Sequence, residues 1–118
     1  MINLDYKDKR PIYEQIIDKM KELMVMGVIP ENAQLPSVRS LAVELSINPN
    51  TIQRAYAELE RQGYIYSVKG KGNFAADNER LRDLKVDEIK ERLIEILDSA
   101  KKIGMSDDDI MNVVKNRR

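Results

Sequence analysis

A chain of 118 residues has room for one domain, or one small domain with an extension. With no cysteine and no histidine it offers no disulfide framework, thiolate nucleophile, usual zinc set or imidazole acid–base pair; no apolar run approaches the roughly 18 residues of a membrane span, and the N-terminus does not read as a signal peptide, so a soluble, cytoplasmic protein without metal or cofactor is expected. Twenty basic and twenty acidic residues cancel to zero net charge, which counts mildly against a nucleic-acid binder and turns attention to how the charges are distributed.

Residues 1–10 are polar, with Ile2, Leu4 and Tyr6 as apolar anchors, and predict a short arm. Pro11 opens an amphipathic segment in which Ile12, Ile16, Met20 and Leu23 recur at helical spacing, with Tyr13, Ile17 and Met24 beside them. Gly27 ends it. The methionines are read as core filler. Residues 28–36 hold two prolines and no periodicity, and predict a loop. Ser37 then caps a short helix, about Val38 to Leu45, with Leu41, Ala42 and Leu45 inward. Ser46-Ile47-Asn48 is a tight turn.

The next helix is the best defined. Asn48 is a good N-cap, Pro49 suits the first helical position, and Gly63 suits a left-handed C-cap. Ile52, Ala55, Tyr56 and Leu59 share one face. Asn50, Arg54, Ala57 and Arg61 share the other, with Gln53 at its margin. Asn and Gln can read adenine, Arg can read guanine or hold phosphate, and Ala lets the backbone approach a major groove. An ordinary solvated face fits the same periodicity. Two short helices joined by three residues, the second capped and polar outside, match helix-turn-helix grammar.

After Gly63, Tyr64 to Val68 is rich in β-formers and Asn73-Phe74-Ala75 can pair with it. Lys69-Gly70-Lys71-Gly72 between them forms a basic tip. A plain solvated hairpin is one reading; after a helix-turn-helix, the other is the wing of a winged helix, with its lysines on phosphates or at the adjacent minor groove. From Asn48 to Gly72 four basic residues face two acidic ones, Glu58 and Glu60, both in the C-terminal half of the helix. Its N-terminal half should therefore enter DNA first.

Asp77 to Asp83 reads as a charged connector. Val86, Ile89, Leu93, Ile96, Leu97, Ala100 and Ile103 then form an apolar stripe on one helix, stopped by Gly104. Ser106 caps a last helix, with Asp107, Asp108 and Asp109 on its positive end and Lys115, Arg117 and Arg118 on its negative end. Capping accounts for the aspartates, because EF-hand spacing and its glycine are missing. The stripe could fold back on the first helix or meet a second subunit. The second reading is taken, since two-fold symmetric proteins read two-fold symmetric DNA. Residues 1–76 would then be a winged helix-turn-helix domain and 77–118 a helical dimerisation region: mainly α, with one small β-hairpin.

Leu35-Pro36-Ser37-Val38-Arg39-Ser40-Leu41-Ala42, Asn50-Thr51-Ile52-Gln53-Arg54-Ala55-Tyr56, Leu59-Glu60 with Gly63-Tyr64-Ile65, and Gly70-Lys71-Gly72 with Phe74 together resemble the GntR family of bacterial transcription regulators, from about Pro11 to Ala75. The short helical C-terminus is similar to the YtrA subfamily, which lacks large effector domains. The resemblance implies DNA contacts from Arg39, from Asn50, Thr51, Gln53 and Arg54, and from Lys69 and Gly70, with Lys71 beside them on the wing. Ser37 would cap its helix and meet phosphate. Many members carry Arg where this chain has Pro49 and Gln53, so their base preference does not transfer, and Arg39, Arg54 and the wing lysines should carry more of the binding.

The expected function is a homodimeric repressor of a transporter-type operon, acting on an inverted repeat in double-stranded DNA. Dimerisation would use Ile89, Leu93, Ile96, Leu97, Ala100 and Ile103. The alternative is a winged-helix module that docks proteins, favoured by the zero net charge. An enzyme is not expected: there is no carboxylate pair, nucleophile–base pair or phosphate loop. The residues name no small-molecule effector.

Overall fold

The computed structural model describes residues 2–117. Met1 and Arg118, the latter expected at the end of the last helix, lie outside them. The elements are α1 (Ile12–Val25), α2 (Val38–Leu45), α3 (Pro49–Gln62), β1 (Ile65–Val68), β2 (Gly72–Ala75), α4 (Asn78–Lys102) and α5 (Asp107–Asn116). They fall into two compact units, Met1–Leu84 and Lys85–Arg118.

In the first unit the apolar periodicity becomes one core. Ile16, Met20 and Met24 of α1, Leu41 of α2, and Ile52, Ala55, Tyr56 and Leu59 of α3 are buried together with Tyr64, Ile65 and Ala75 of the hairpin. Fully burying an aliphatic side chain of this size is worth about 1.5–3 kcal/mol. Tyr13 of α1 stacks on Arg54 of α3, and Lys21 reaches Gln62 eight residues further along both helices, so α1 and α3 run side by side in the same sense.

The turns follow from backbone chemistry. Ser37 accepts the Ser40 N–H (3.0 Å) and starts α2. Ser46 closes it in the left-handed region (φ +55°), with Ile47 N–H on the Ala42 carbonyl (2.9 Å) and Ser46 N–H on Val43 (3.2 Å). This is the Schellman pattern, here on a residue that is not glycine. Asn48 accepts the Asn50 N–H (2.8 Å) and starts α3. The same pattern ends α3 at Gly63 (φ +88°), through Tyr64 N–H on Leu59 (2.9 Å).

β1 and β2 pair antiparallel with Tyr66 opposite Phe74, whose rings stack at 5.6 Å. Segment 28–36 is a loop, but it also lies along the free edge of β2. Leu35 N–H donates to the Asn73 carbonyl (2.8 Å), and Ala75 N–H to Ala33 (2.9 Å). An edge strand is thereby covered by two-proline sequence that carries no strand signal of its own.

Three readings need correction. Tyr6 is not an anchor; it is 73% exposed, while Ile2 is buried. Residues 78–83 are not a connector but the first turns of α4. Asp77 accepts the Arg80 N–H (2.9 Å) as a cap would, Glu31 accepts the Asn78 N–H (3.2 Å), and Leu81 inserts into the core. The abundance of charge hid this single buried leucine. Gly72 also joins β2, which extends the strand by one residue.

The second unit holds the rest of α4 and α5. Ser106 and Asp109 form a reciprocal capping box at the start of α5 (3.0 and 2.9 Å). The Ser106 N–H and hydroxyl hold the Asp109 carboxyl below the usual carboxylate range. Among the described residues, no three carboxylates cluster as a metal set, and no helix is long and apolar enough to cross a membrane.

Candidate nucleic-acid interface

The helix-turn-helix presents two helix beginnings. Ser37 is committed to capping, its oxygen on Ser40 N–H and its hydroxyl on the Ser40 hydroxyl (2.9 Å). Capping leaves Arg39, in the first turn of α2, pointing to solvent. Asn50 and Gln53 are exposed in the first turn of α3, and Thr51 is half-buried beside them. Among the described residues, the side chains of Arg39, Asn50 and Gln53 make no hydrogen bond or ion pair within the chain. Amide and guanidinium donors left unsatisfied in the fold can be satisfied by DNA.

Farther along α3, Arg61 and Glu58 occupy each other. Arg61 forks onto Glu58, its Nε 2.8 Å from Oε2, and Gln62 donates to the same carboxylate (3.0 Å). The Arg61 bond, with Gln62 second, holds the Glu58 carboxyl down at about 2. Glu58 therefore remains an anion but a neutralised one. Arg54 makes neither kind of bond. Its guanidinium lies over the Tyr13 ring, 3.8 Å from the centroid.

The wing is ordered down to its tip. Lys71 N–H donates to the Val68 carbonyl (2.9 Å), closing a turn whose third residue, Gly70, has φ +77°. A type II turn requires that sign there. Gln34 Nε2 donates to the Lys71 carbonyl (2.7 Å) and ties the tip to the loop before α2. Lys69 and Lys71 remain exposed, with no ion pair among the described residues.

Behind these groups, Tyr56 sets their spacing. Its hydroxyl donates to the Pro36 carbonyl (2.7 Å), one residue before the Ser37 cap. The bond links the middle of α3 to the start of α2. Burial, with the Glu44 charge second, pushes the Tyr56 hydroxyl up to about 12.

Each expected DNA residue thus lies in the helix-turn-helix or the wing, and Ser37 has its capping role. Sequence reasoning missed Tyr13 as the partner of Arg54, Gln34 as the support of the wing, and two buried polar groups of α1. Gln15 accepts the Asp5 N–H (3.0 Å) and donates to the Asp5 and Arg10 carbonyls (3.0 and 3.3 Å), holding the arm. Lys21 reaches Gln62 at 2.6 Å and the Tyr64 ring at 4.7 Å. The signal for Gln15 was present: it falls on the apolar stripe three residues after Ile12.

The expected dimerisation residues lie on α4 and near its end. Ile89, Leu93, Ile96, Leu97 and Ile103 are exposed, Ile96 at 64% and Ile103 at 80%, and Ala100 is partly covered. Ile94, off the anticipated stripe, is also exposed.

Comparison with known proteins agrees with this geometry. Residues 12–74 match the family described as bacterial regulatory proteins, gntR family. The HTH-type transcriptional repressor YtrA of Bacillus subtilis (strain 168) is 42% identical over 107 residues, 89% of this chain and 82% of that one. A GntR family transcriptional regulator from Listeria monocytogenes superposes with a TM-score of 0.78 at 37% identity, covering 98% of this chain and all (100%) of that one. The AraR DNA-binding domain in complex with operator ORR3 superposes with a TM-score of 0.55 at 28% identity, over 63% of this chain and 89% of that one. The matched span runs from the first turn of α1 to the wing, which contains the capped helix pair, the polar N-terminus of α3 and the hairpin: the chain belongs to the GntR family and is a transcriptional regulator with a winged-helix DNA-binding domain.

Proposed function

We propose that this regulator is a homodimeric repressor that binds an inverted-repeat operator and blocks polymerase by occupying it. The observation that carries the reading is the set of exposed, uncommitted donors at Arg39, Asn50 and Gln53, flanked by the wing lysines Lys69 and Lys71. The N-terminal half of α3 enters the major groove. Asn50, Thr51, Gln53 and Arg54 face the bases and nearby backbone, Arg39 meets phosphate, Ser37 does so by turning its hydroxyl proton from Ser40 while its oxygen keeps the cap, and Lys69, Gly70 and Lys71 sit at the adjacent backbone. Residues 77–118 supply the dimer contact, with Ile89, Leu93, Ile96, Leu97, Ala100 and Ile103 burying their apolar surface against a second copy. The repressor name of the YtrA relative and the operator complex of the AraR domain support this reading. The reading extends to a transporter-type operon as the target and to the cytoplasm as the place of action, as the subfamily resemblance of the short helical C-terminus implies.

The zero net charge favours a second reading, a winged helix that docks a protein. Selection of random duplex DNA by the purified protein, near physiological salt, separates the two. An enriched inverted repeat supports the repressor reading, and its half-site spacing measures the distance between recognition helices. No enrichment from a folded, dimeric sample would sink it in favour of protein docking.

A further inference from the structure

We propose that Tyr13, in the first turn of α1, is a positioning residue for DNA recognition: its ring holds the Arg54 guanidinium from one side, so that α3 presents this cation already placed. The inference rests on the reading that α3 enters a DNA groove. Three observations lead to it.

First, the contact is close and uses only one face of the group. Arg54 Cζ lies 3.8 Å from the Tyr13 ring centroid. A guanidinium stacked on a ring keeps all its N–H bonds in its own plane, so stacking leaves every donor available. Second, those donors are unused. Arg54 has no hydrogen bond or ion pair among the described residues. Of the acidic groups lining the same cleft, Asp18 pairs with Arg10 and Glu58 with Arg61, and Glu14 makes no ion pair with Arg54 among the described residues. Third, the ring is itself held. Tyr13 packs against the core, and its hydroxyl is 3.5 Å from Glu14, too far for a good hydrogen bond. Packing of the ring, not its hydroxyl, therefore fixes its position.

A long arginine side chain otherwise samples many rotamers and loses that freedom on binding. Fixing it beforehand lowers the cost of association without adding a contact. Because α1 and α3 run in the same sense, the stack lies toward the beginning of both helices. That is the end proposed to meet DNA. Arg39, by contrast, has no such support and would be ordered only on binding.

The test is a double-mutant cycle on the intact protein. The probes are a duplex carrying the inverted repeat recovered by selection and a random-sequence duplex of equal length. Tyr13→Leu should weaken binding to the selected duplex by about three- to ten-fold, the scale of a lost cation–π contact and its preorganisation. Tyr13→Phe, which keeps the ring, should stay within about two-fold. In an Arg54→Ala background, Tyr13→Leu should cause no further loss. Thermal melts check that each variant is folded, and Tyr13→Met replaces Tyr13→Leu if the leucine variant is not. The same loss in the Arg54→Ala background, or no loss from Tyr13→Leu at all, overturns the role of Tyr13. If the wild type enriches no duplex, the repressor reading itself falls; if it binds and the cycle is merely additive, only the positioning role falls.

Discussion

At the scale of single residues, Tyr56 and Arg39 show two opposite uses of polarity. Tyr56 is buried on α3 and its hydroxyl bonds the Pro36 carbonyl, so it joins the two helices of the motif. Tyr56→Phe should cost about 1 kcal/mol, measurable by urea unfolding, because the Pro36 carbonyl loses its donor. The pH dependence has a definite sign. The folded hydroxyl titrates near 12 and an unfolded tyrosine near 10, so the folded state keeps a proton that the unfolded state has already released. The stability from this group is complete below about pH 10 and is lost between about pH 10 and 12. Tyr56→Phe should flatten unfolding stability over that window; an unchanged alkaline slope would show that Tyr56 does not control it. Arg39 is the reverse case, exposed and unpaired. Arg39→Ala should leave the fold intact and weaken operator binding by about 1–3 kcal/mol in a mobility-shift titration. Full affinity in the folded variant would remove Arg39 from the interface.

The elements differ in how much of them could be read from residues alone. α2 and α3 were legible to the residue, since Ser37, Asn48, Pro49 and Gly63 mark their ends by local backbone chemistry. The hairpin was legible because β-formers flank a glycine tip. The beginning of α4 was not, because Glu79, Arg80, Arg82 and Asp83 surround Leu81, and a single buried side chain makes no stripe. Nor was the pairing of Gln34 with Phe74, which depends on the wing being in place first. The candidate site followed the same division. Positions set by their own helix, such as the exposed first-turn places of Arg39 and Asn50, could be located in advance. Contacts that depend on a distant neighbour, such as those of Tyr13 and Gln34, could not. The wing allows a test of its own. Lys69→Ala should weaken operator and arbitrary duplex alike and reduce the slope of log affinity against log salt by about one. An unaltered slope would mean that Lys69 has no phosphate partner.

For the whole molecule, the question is what covers the apolar residues of the second unit. Leu93 is 51% exposed, with Ile89 and Leu97 beside it on the same face of α4. A second copy would bury them symmetrically. If the proposed dimer uses this face, Leu93→Asp should yield a monomer in sedimentation velocity and abolish tight binding to a two-fold site. A variant that remains dimeric would place the contact elsewhere.

The pairing of Arg61 with Glu58 also affects how the protein travels. Grip on arbitrary sequence scales with the number of cations that displace counterions from phosphate. Around the helix-turn-helix and wing this chain offers few such cations, on a body with no net positive charge to hold it near the polymer. Its stay on non-cognate DNA should therefore be brief, and its search should proceed by short hops through solution rather than long slides. Single-molecule tracking on stretched DNA would see brief, scattered dwells that lengthen only where both half-sites are present.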